Sequence, residues 1–298
     1  MSINIIILEY GEIGHAMEFL LKNHQSLAIW DKYPPANHAP IKLEDSIPRA
    51  DVAMFCLPVN PHREIIHRIA PYLQKHCLCI SVAKGLDETG KTAAQIFSES
   101  LPPSCPYALL YGPMIAEEIL AGNYAFAQLG CRDHGIFKTI QDCFAGTKLY
   151  LEHTDDIEGI SWAVILKNVY AMVFGMADEL KLGANVRGYL VTAALQELQQ
   201  IVMRMGGHPD SPYRLSGLGD LITTATSENS HHHALGRKIA RGEINDISGE
   251  GPHTLKMIEQ HQLLPIEDYA LLALIHAVLS RPVDVRSQFE NYLQYQNR

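Results

Sequence analysis

The stretch that decides the fold lies near the start of the chain, where residues 3–14 read INIIILEYGEIG. An apolar run, Ile3–Leu8, leads directly into a short turn that contains two glycines. An amphipathic pattern over Gly14–Lys22 follows the turn. A buried strand that passes through a glycine turn into a helix is typical of sheets whose strands alternate with helices. The stretch therefore predicts the first strand–turn–helix unit of a parallel sheet.

The turn is similar to the dinucleotide-binding fingerprint G-x-G-x-x-G. Gly11 fits the middle glycine, which lets the backbone approach a pyrophosphate, and Gly14 fits the third, which lets the helix pack on the strand. Glu12 and Ile13 lie between them, and Glu9 stands in place of the first glycine. A carboxylate about 6 Å from a phosphate charge would repel it by roughly 2–3 kcal/mol. The turn thus predicts weakened dinucleotide binding, with an ordinary strand-to-helix turn of an α/β protein as the alternative.

An acidic residue at the end of the second candidate strand supports the cofactor interpretation. Asp31 directly follows Leu27–Trp30, where a carboxylate can accept hydrogen bonds from the adenosine ribose hydroxyls. This position favours NAD, while the neighbouring Lys32 leaves NADP open.

Outward from this unit, the first half alternates apolar runs with helical patterns, and the second half is helical. The predicted strands are Ile3–Leu8, Leu27–Trp30, Val52–Leu57, Leu78–Val82, Tyr107–Leu110 and Ala125–Leu129. The predicted helices include Gly14–Lys22, His62–Gln74, Ile157–Leu180, Ala184–Met205, Ser230–Arg241 and Thr254–Leu263, with a turn at 249–252 and a last helix within 284–298. The pattern predicts an α/β protein: a Rossmann-type doubly wound sheet in residues 1–154 and an all-helical domain in residues 155–298.

Composition excludes several classes of protein. The 298 residues are 47% hydrophobic, with a formal net charge of −9, which argues against a protein that binds nucleic acid or anionic membranes. The six cysteines form neither a disulfide framework nor a zinc pattern. The start lacks the features of a signal peptide, and the apolar run Ala270–Leu279 is too short to span a bilayer. We expect a soluble, cytoplasmic protein.

Three later segments place polar residues in positions that suit chemistry. Lys84 follows a predicted strand at the sheet edge where ligands of open α/β sheets bind. Lys167 and Asn168 interrupt an otherwise apolar helix, where burial would lower the pKa of the lysine and suit it to proton transfer. Asp220 follows two glycines at a predicted helix start. The structural alternatives are a solvated Lys84, a snorkelling Lys167 and a helix-capping Asp220.

Taken together, these segments resemble the bacterial NAD(P)-dependent glycerol-3-phosphate dehydrogenases over nearly the whole chain. The matching stretches are Ser81–Asp87, Gly112–Glu118, Leu166–Val169, Gly183–Arg187, Gly217–Thr224 and Glu250–Thr254. The resemblance implies a Rossmann domain, a helical substrate domain, and reversible reduction of dihydroxyacetone phosphate.

The resemblance also implies roles for individual residues. Lys167 would donate a proton to the carbonyl oxygen, or accept it in the reverse direction, and Asp220 would hold that lysine. Asn168 and Thr224 would orient the substrate oxygens, while Lys84 would stabilise the developing alkoxide. The remaining expected contacts are Gly112 with the substrate, and Pro58 and Glu250 with the cofactor.

The sequence departs from the family where the substrate phosphate is expected. The family places an Arg-Asn pair after its aspartate block, and here His231 and His232 stand in those places. An arginine carries a permanent charge, whereas a histidine with a pKa near 6.5 is mostly neutral at pH 7. Ser230 is expected to cap the following helix and to direct its amides at an anion. Added bulk at Met114–Ile115 and Ala163–Val164 could narrow the substrate site.

These observations leave three functions open: a glycerol-3-phosphate dehydrogenase, a related reductase of another small keto or hydroxy compound, and a catalytically weak binding or regulatory protein on the same scaffold. The partner expected is a small-molecule substrate, and apolar helical faces could pair two chains as a homodimer. Three consecutive histidines, 231–233, do not favour a metal site, since neighbouring side chains on a helix point about 100° apart.

Overall fold

The structure is a computed structural model, and it describes residues 2–34, 40–227, 230–243 and 247–295. The chain divides into two compact units. Unit 1 comprises Met1–Asp87 and Lys91–Ile157, and unit 2 comprises Glu88–Gly90 and Glu158–Arg298.

Unit 1 is built on a seven-stranded sheet with the strand order β2-β1-β3-β4-β5-β6-β7. Its strands are β1 (Asn4–Leu8), β2 (Ser26–Trp30), β3 (Val52–Phe55), β4 (Leu78–Ser81), β5 (Tyr107–Tyr111), β6 (Ala125–Gly130) and β7 (Leu149–Thr154). All neighbouring strands are parallel except β5 and β6. The predicted Rossmann-type α/β fold is confirmed.

The middle of this sheet is buried along its whole length. Every residue of β3 and β4 is buried, as expected for strands that are apolar on both faces and covered by helices. The helices of unit 1 are α1 (Glu12–Leu21), α2 (Leu43–Ser46), α3 (His62–Ile69), α4 (Ala93–Ser100), α5 (Ala116–Leu120) and α6 (His134–Cys143). Helix α3 ends before the predicted Gln74 because Pro71 lacks an amide hydrogen, and a 3-10 turn over Ala70–Tyr72 follows it.

Two features of the sheet differ from the sequence prediction. Strand β7 was not predicted, because Leu149–Thr154 mixes apolar with polar residues, as an edge strand does. Strand β6 runs antiparallel to β5, although its apolar composition matches that of the parallel strands. Composition therefore identified the buried strands but not the direction of β6.

Unit 2 is helical among its described residues, as predicted. Its helices are α7 (Ile157–Glu179), α8 (Ala184–Arg204), α9 (Asp220–Thr226), α10 (His231–Ala240), α11 (Glu250–Gln260), α12 (Ala270–Ser280) and α13 (Val285–Tyr295). The predicted turn at 249–252 is wrong, since Glu250 already begins α11. Pro252 is tolerated there because amides of the first helical turn have no acceptor within the helix.

Helix α7 is the core of unit 2. Of the described helices, it alone is long and apolar enough to cross a membrane by length and composition, and its most apolar window of 18 residues is completely buried. This burial is typical of the core helix of a globular unit.

Two glycines bring α7 and α10 into backbone contact. A Cβ atom at Gly175 would lie 2.0 Å from the His233 carbonyl oxygen, and one at Gly236 would lie 2.0 Å from the Met172 carbonyl oxygen. Neither position has room for a side chain without moving a helix. The crossing fixes the start of α10, with its histidines, against the middle of α7.

Candidate functional site

The nucleotide turn is the loop of residues 9–14 between β1 and α1. The Glu9 amide donates to the Trp30 carbonyl at 2.7 Å, and the Glu9 backbone lies in the left-handed region with φ of 76°. Gly14 has no room for a side chain, because a Cβ there would lie 2.4 Å from the Glu9 carbonyl oxygen. At Gly11, by contrast, no atom lies within 4 Å of the place a Cβ would take. Gly14 therefore allows close packing, and Gly11 leaves the backbone accessible.

Asp31 forms a hydrogen bond with the backbone of this turn. Its carboxylate accepts hydrogen bonds from the Tyr10 amide at 2.8 Å and from the Tyr33 amide at 2.6 Å. Burial, and then the nearby Asp31 charge, raise the pKa of the Glu9 carboxyl above its usual range. The carboxyl groups of Glu9 and Asp31 therefore lie close together beside the nucleotide turn.

The turn fits a dinucleotide in part. Glu12 and Ile13 form the first turn of α1, whose N-terminal end attracts anions, and Gly11 brings no side chain into that approach. A carboxylate has about four acceptor positions, so Asp31 can still accept from ribose hydroxyls. Glu9 is the residue that does not fit, because its carboxyl group takes a place where the fingerprint has no side chain.

A buried histidine that the sequence analysis missed joins two loops at the carboxyl edge of the sheet. The His62 ring lies 2.9 Å from the Pro58 carbonyl oxygen through Nδ1 and 2.9 Å from the Ser81 hydroxyl through Nε2. The Ser81 hydroxyl in turn accepts from the Ala83 amide at 3.1 Å. His62 thus holds the predicted cofactor residue Pro58 and the loop that carries Lys84. Nothing in the sequence around His62 indicated this role.

This histidine is expected to make unit 1 sensitive to acid. Burial lowers the pKa of His62 to about 4, so the folded chain keeps it neutral while the unfolded chain protonates it below about 6.5. The neutral His62 contributes up to about 3 kcal/mol to the free energy of unfolding. This contribution is complete above about pH 6.5 and is lost as the pH falls towards about 4. Denaturant unfolding of wild type and His62→Asn between pH 7 and pH 4 measures this difference. His67→Asn, at an exposed position of the same helix, should retain the wild-type pH dependence, and an equal slope in His62→Asn would contradict the assignment.

Lys84 and Gly112, two predicted substrate residues, are brought together in unit 1. The Lys84 ammonium donates to the Gly112 carbonyl at 3.2 Å. Gly112 has φ of 154°, and a Cβ there would lie 2.5 Å from the Phe126 carbonyl oxygen, so only glycine fits. This contact fixes Lys84 at the carboxyl end of β4.

The centre of unit 2 is a buried lysine with an acid and a hydroxyl. Lys167 is 4% exposed and Asp220 is 3% exposed. The Lys167 ammonium lies 3.2 Å from the Asp220 carboxylate and donates to the Thr224 hydroxyl at 2.7 Å. That hydroxyl donates to the Asp220 backbone carbonyl at 2.7 Å. The snorkelling alternative for Lys167 is wrong, since its ammonium is buried and paired.

A π-helical turn over Leu215–Gly219 places the acid. It precedes α9 directly, so Asp220 is the first residue of that helix and Thr224 lies one turn further along the same face. A Cβ at Gly217 would lie 2.2 Å from the Pro212 carbonyl oxygen, which requires glycine in this turn.

Asn168, the residue after Lys167, belongs to a second group of polar side chains. Its side-chain amide donates to the Glu250 carboxylate at 2.8 Å, and His232 lies 3.9 Å from the same carboxylate. Glu250 begins α11, and a Cβ at Gly251 would lie 3.0 Å from the Asn168 carbonyl oxygen. The structure therefore joins Asn168, Glu250 and His232, three residues that the sequence analysis placed at the site separately.

The remaining histidines begin α10. Ser230 caps this helix, because its hydroxyl accepts from the His233 amide at 3.2 Å, and His231 is exposed. His233, which the sequence analysis did not assign, lies 2.8 Å from the Asp178 carboxylate. Glu228 and Asn229, in the segment that the sequence analysis compared with the family, lie outside the described residues. Among the described residues no group of three His, Cys, Asp or Glu side chains could hold a metal ion.

Unit 2 contains a buried ammonium group, that of Lys167, which can donate a proton. An ammonium held by a carboxylate and a hydroxyl can donate one proton while the carboxylate stabilises the charged form. Unit 1 offers a glycine turn with an acceptor for ribose hydroxyls and a separate lysine at the sheet edge.

Comparison with known proteins gives a consistent result in both halves of the chain. The models of the NAD-dependent glycerol-3-phosphate dehydrogenase N-terminus and C-terminus match residues 8–136 and 156–290. Glycerol-3-phosphate dehydrogenase (NAD(P)+) of Thermosynechococcus vestitus is 31% identical over 94% of this chain and 92% of its own length. The enzyme of the same name from Synechocystis sp. is 28% identical over 97% and 94%.

Solved structures show the same fold. Glycerol-3-phosphate dehydrogenase of Coxiella burnetii superposes with a TM-score of 0.83 at 23% identity, covering 98% of this chain and 99% of that one. The Saccharomyces cerevisiae enzyme superposes with a TM-score of 0.81 at 18% identity, covering 98% and 99%.

Proposed function

The chain belongs to the NAD-dependent glycerol-3-phosphate dehydrogenase family, and from that premise we propose that it is an NAD(P)-dependent dehydrogenase that interconverts dihydroxyacetone phosphate and glycerol 3-phosphate. Unit 1 binds NAD, or NADP, at the nucleotide turn, and unit 2 binds the substrate. The observation that carries the proposal is the buried pair of Lys167 and Asp220 with Thr224. A purely structural scaffold has no need for a buried cation at the centre of its core helix, since such a pair seldom adds stability.

Lys167 handles the proton. The nicotinamide, when bound, supplies or accepts the hydride. During reduction the Lys167 ammonium gives a proton to the carbonyl oxygen, which becomes a hydroxyl, and in the reverse direction the neutral amine takes that proton back. Asp220 favours the ammonium form, and Thr224 holds the orientation of the Lys167 amine. Asn168, held by Glu250, orients the substrate oxygens.

We propose an electrostatic role for Lys84. Its ammonium, held by the Gly112 carbonyl, would stabilise negative charge that develops on the substrate oxygen. Pro58 contributes to the cofactor surface, and His62 positions the loops that carry Pro58 and Lys84.

The phosphate site favours a second candidate function. Ser230 and the start of α10 offer helix amides, but His231 and His232 replace an arginine and an asparagine of the family. A histidine offers a phosphate neither the permanent charge nor the paired donors of an arginine, so phosphate binding would be weaker here than with an arginine. This favours a related reductase of a different small keto or hydroxy compound, and Glu9 together with His231 would also suit a catalytically weak binding or regulatory protein.

Titration of the protein with NADH, followed by nicotinamide fluorescence with and without dihydroxyacetone phosphate, separates these functions. Saturable binding followed by NADH oxidation supports the dehydrogenase. Binding without oxidation favours another carbonyl substrate. No binding at millimolar NADH would overturn both and leave the binding or regulatory protein.

We also propose a cytoplasmic location and no nucleic-acid or membrane partner. The six cysteines are free and buried, which suits a reducing compartment, and the net charge of −9 opposes binding to phosphate polymers.

Replacing Glu9 is expected to tighten cofactor binding. Glu9→Gly removes a carboxyl group near the pyrophosphate position and restores a residue suited to φ of 76°, so the Kd for NADH should fall by about tenfold or more. Glu9→Gln is the matched control, because it removes the charge but keeps the strained backbone. A lower Kd for NADH in both variants would show that the Glu9 charge weakens binding. A lower Kd in Glu9→Gly alone would show that the backbone conformation does. Unchanged affinity in both would show that Glu9 does not hinder the cofactor.

A further inference from the structure

The side chain of Glu9 is a half-buried carboxyl group in the nucleotide turn. Among residues 2–34, 40–227, 230–243 and 247–295, no cation pairs with this carboxyl group and no donor forms a hydrogen bond with it. Lys32 lies close to the turn in the fold, but its ammonium lies over the Tyr33 ring, 5.9 Å from the ring centroid. A proton is therefore the neutralising partner that the described part of the chain leaves to Glu9.

The second carboxyl group beside the turn is held in place. Asp31 accepts hydrogen bonds from the Tyr10 and Tyr33 amides, and Tyr10 directly follows Glu9 in the chain. The Glu9 amide donates to the Trp30 carbonyl, so the backbone segments that carry the two acids are joined as well. Burial, and then the charge of Asp31, raise the pKa of the Glu9 carboxyl. The ionised form of Glu9 is therefore disfavoured even before a ligand binds.

A pyrophosphate would bring a further negative charge to this turn. Gly11 leaves the approach to the start of α1 open, and the N-terminal end of a helix attracts anions. Glu9 lies two residues before Gly11, at the position of the first glycine of the fingerprint. The ligand and Asp31 would thus both favour the protonated form of Glu9. A protonated carboxyl group has one O–H donor, which can bond to a pyrophosphate oxygen.

We propose that Glu9 binds the dinucleotide as a neutral carboxylic acid, so that each cofactor molecule that binds takes up a proton from solution. The O–H group of Glu9 donates to a pyrophosphate oxygen, while Asp31 stays ionised on its two amides. This inference rests on the proposed dinucleotide site and gives a role to the residue that departs from the fingerprint. Glu9 then opposes the cofactor at high pH and holds it at low pH.

The direction of the pH dependence follows from this proton. Above the pKa of Glu9 in the free protein, the carboxylate must gain a proton when NADH binds. The Kd for NADH therefore rises with pH, by up to about tenfold per pH unit, until the pH exceeds the pKa of Glu9 in the complex. Below the pKa in the free protein, Glu9 is already protonated, and the Kd no longer changes with pH.

Histidine is the side chain whose ordinary pKa lies nearest neutral pH, and α1 carries one beside the turn. The Nδ1 atom of His15 lies 2.8 Å from the Gly11 carbonyl oxygen, and the His15 and Tyr10 ring centroids are 3.7 Å apart. A protonated imidazole would also attract a pyrophosphate, so His15 needs a control of its own. The remaining ionisable side chains of the turn and of the elements beside it are Tyr10, Glu12, Glu18, Asp31, Lys32, Cys56, Glu117 and Glu118.

Calorimetric titration of the full chain with NADH counts the protons. The heat of binding is measured at several pH values between 5.5 and 8.5, each in two buffers of different ionisation enthalpy, and the difference gives the protons taken up. NADH suits this test because, unlike NADPH, it has no phosphate monoester that titrates near pH 6. The wild-type chain should take up as much as one proton per NADH, and the Kd should rise by about tenfold or more across this range.

Two variants assign the proton to one residue. Glu9→Gln has a permanent amide donor in place of the acid, so NADH should bind without proton uptake and with a Kd that does not change with pH. His15→Asn keeps a donor near the Gly11 carbonyl and should retain the proton uptake of the wild type. Uptake that is lost in His15→Asn and kept in Glu9→Gln would overturn the assignment. A Kd that Mg²⁺ lowers in the wild type but not in Glu9→Gln would assign the neutralisation to a cation and overturn it too.

The same titration separates failure of this inference from failure of the proposed function. Saturable binding of NADH to the wild type without proton uptake overturns the role of Glu9 and leaves the dinucleotide site in place. No binding of NADH to the wild type or to Glu9→Gln at any pH in this range would overturn both.

Discussion

Replacing Lys167 with methionine is expected to lower kcat for NADH oxidation by about 10²–10⁴-fold, because the variant lacks the proposed donor of a proton to the carbonyl oxygen. The lysine is 4% exposed, so a buffer molecule from solution cannot easily supply the proton in its place. The change also leaves the Asp220 carboxylate buried without its cation, which costs about 3–5 kcal/mol of folding free energy. Both kcat and the free energy of unfolding must therefore be measured.

Two further variants separate the chemistry from the stability. Lys167→Met combined with Asp220→Asn removes both charges, so stability should recover towards wild type while turnover remains low. Lys167→Arg keeps a cation beside Asp220, but a guanidinium cannot lose its proton, so turnover should again be low. Turnover within tenfold of wild type in any folded Lys167 variant would exclude the proposed proton donor.

Replacing Glu197 with alanine is expected to lower the free energy of unfolding by roughly 3–5 kcal/mol without touching the proposed site. Its buried carboxylate accepts from the Leu271 amide at 2.6 Å, the Leu272 amide at 2.9 Å and the Tyr170 hydroxyl at 2.8 Å. It thereby caps α12 from α8. Alanine leaves all three donors buried without an acceptor, at about 1–3 kcal/mol each before any relaxation.

Denaturant unfolding checks this value against two controls. Gln196→Ala removes an exposed neighbour on α8 and should change the free energy of unfolding by less than about 0.5 kcal/mol. Glu197→Gln keeps one acceptor oxygen and should lose less than alanine does. Burial raises the pKa of Glu197, so ionisation at high pH carries a cost that glutamine avoids. A loss in Glu197→Ala no larger than in Gln196→Ala would contradict the capping role.

Local patterns predicted most of the fold. The run before Gly11 and Gly14 identified β1 and α1, because strand burial and a glycine turn are both written in adjacent residues. Strand β7 was missed because only one of its faces is apolar. The antiparallel direction of β6 was missed because the apolar composition of a strand does not show which way it runs.

The candidate site was predictable only where single residues stood out. Lys167 is conspicuous in an apolar helix, but Asp220 lies far along the chain, and their pairing came from the resemblance to a family. The buried roles of His62 and Glu197 depend on partners brought together by folding. Nothing in their own segments separates them from exposed residues of an amphipathic helix.

The π-helical turn over Leu215–Gly219 makes the length of this segment as important as its composition. Successive residues of an α-helix are about 100° apart, so one inserted or deleted residue before α9 turns Asp220 and Thr224 together by about that angle. Both groups would then no longer face Lys167, even though all three side chains would still be present. An alignment of relatives that opens a gap inside this segment therefore compares an acid that faces the lysine with one that does not.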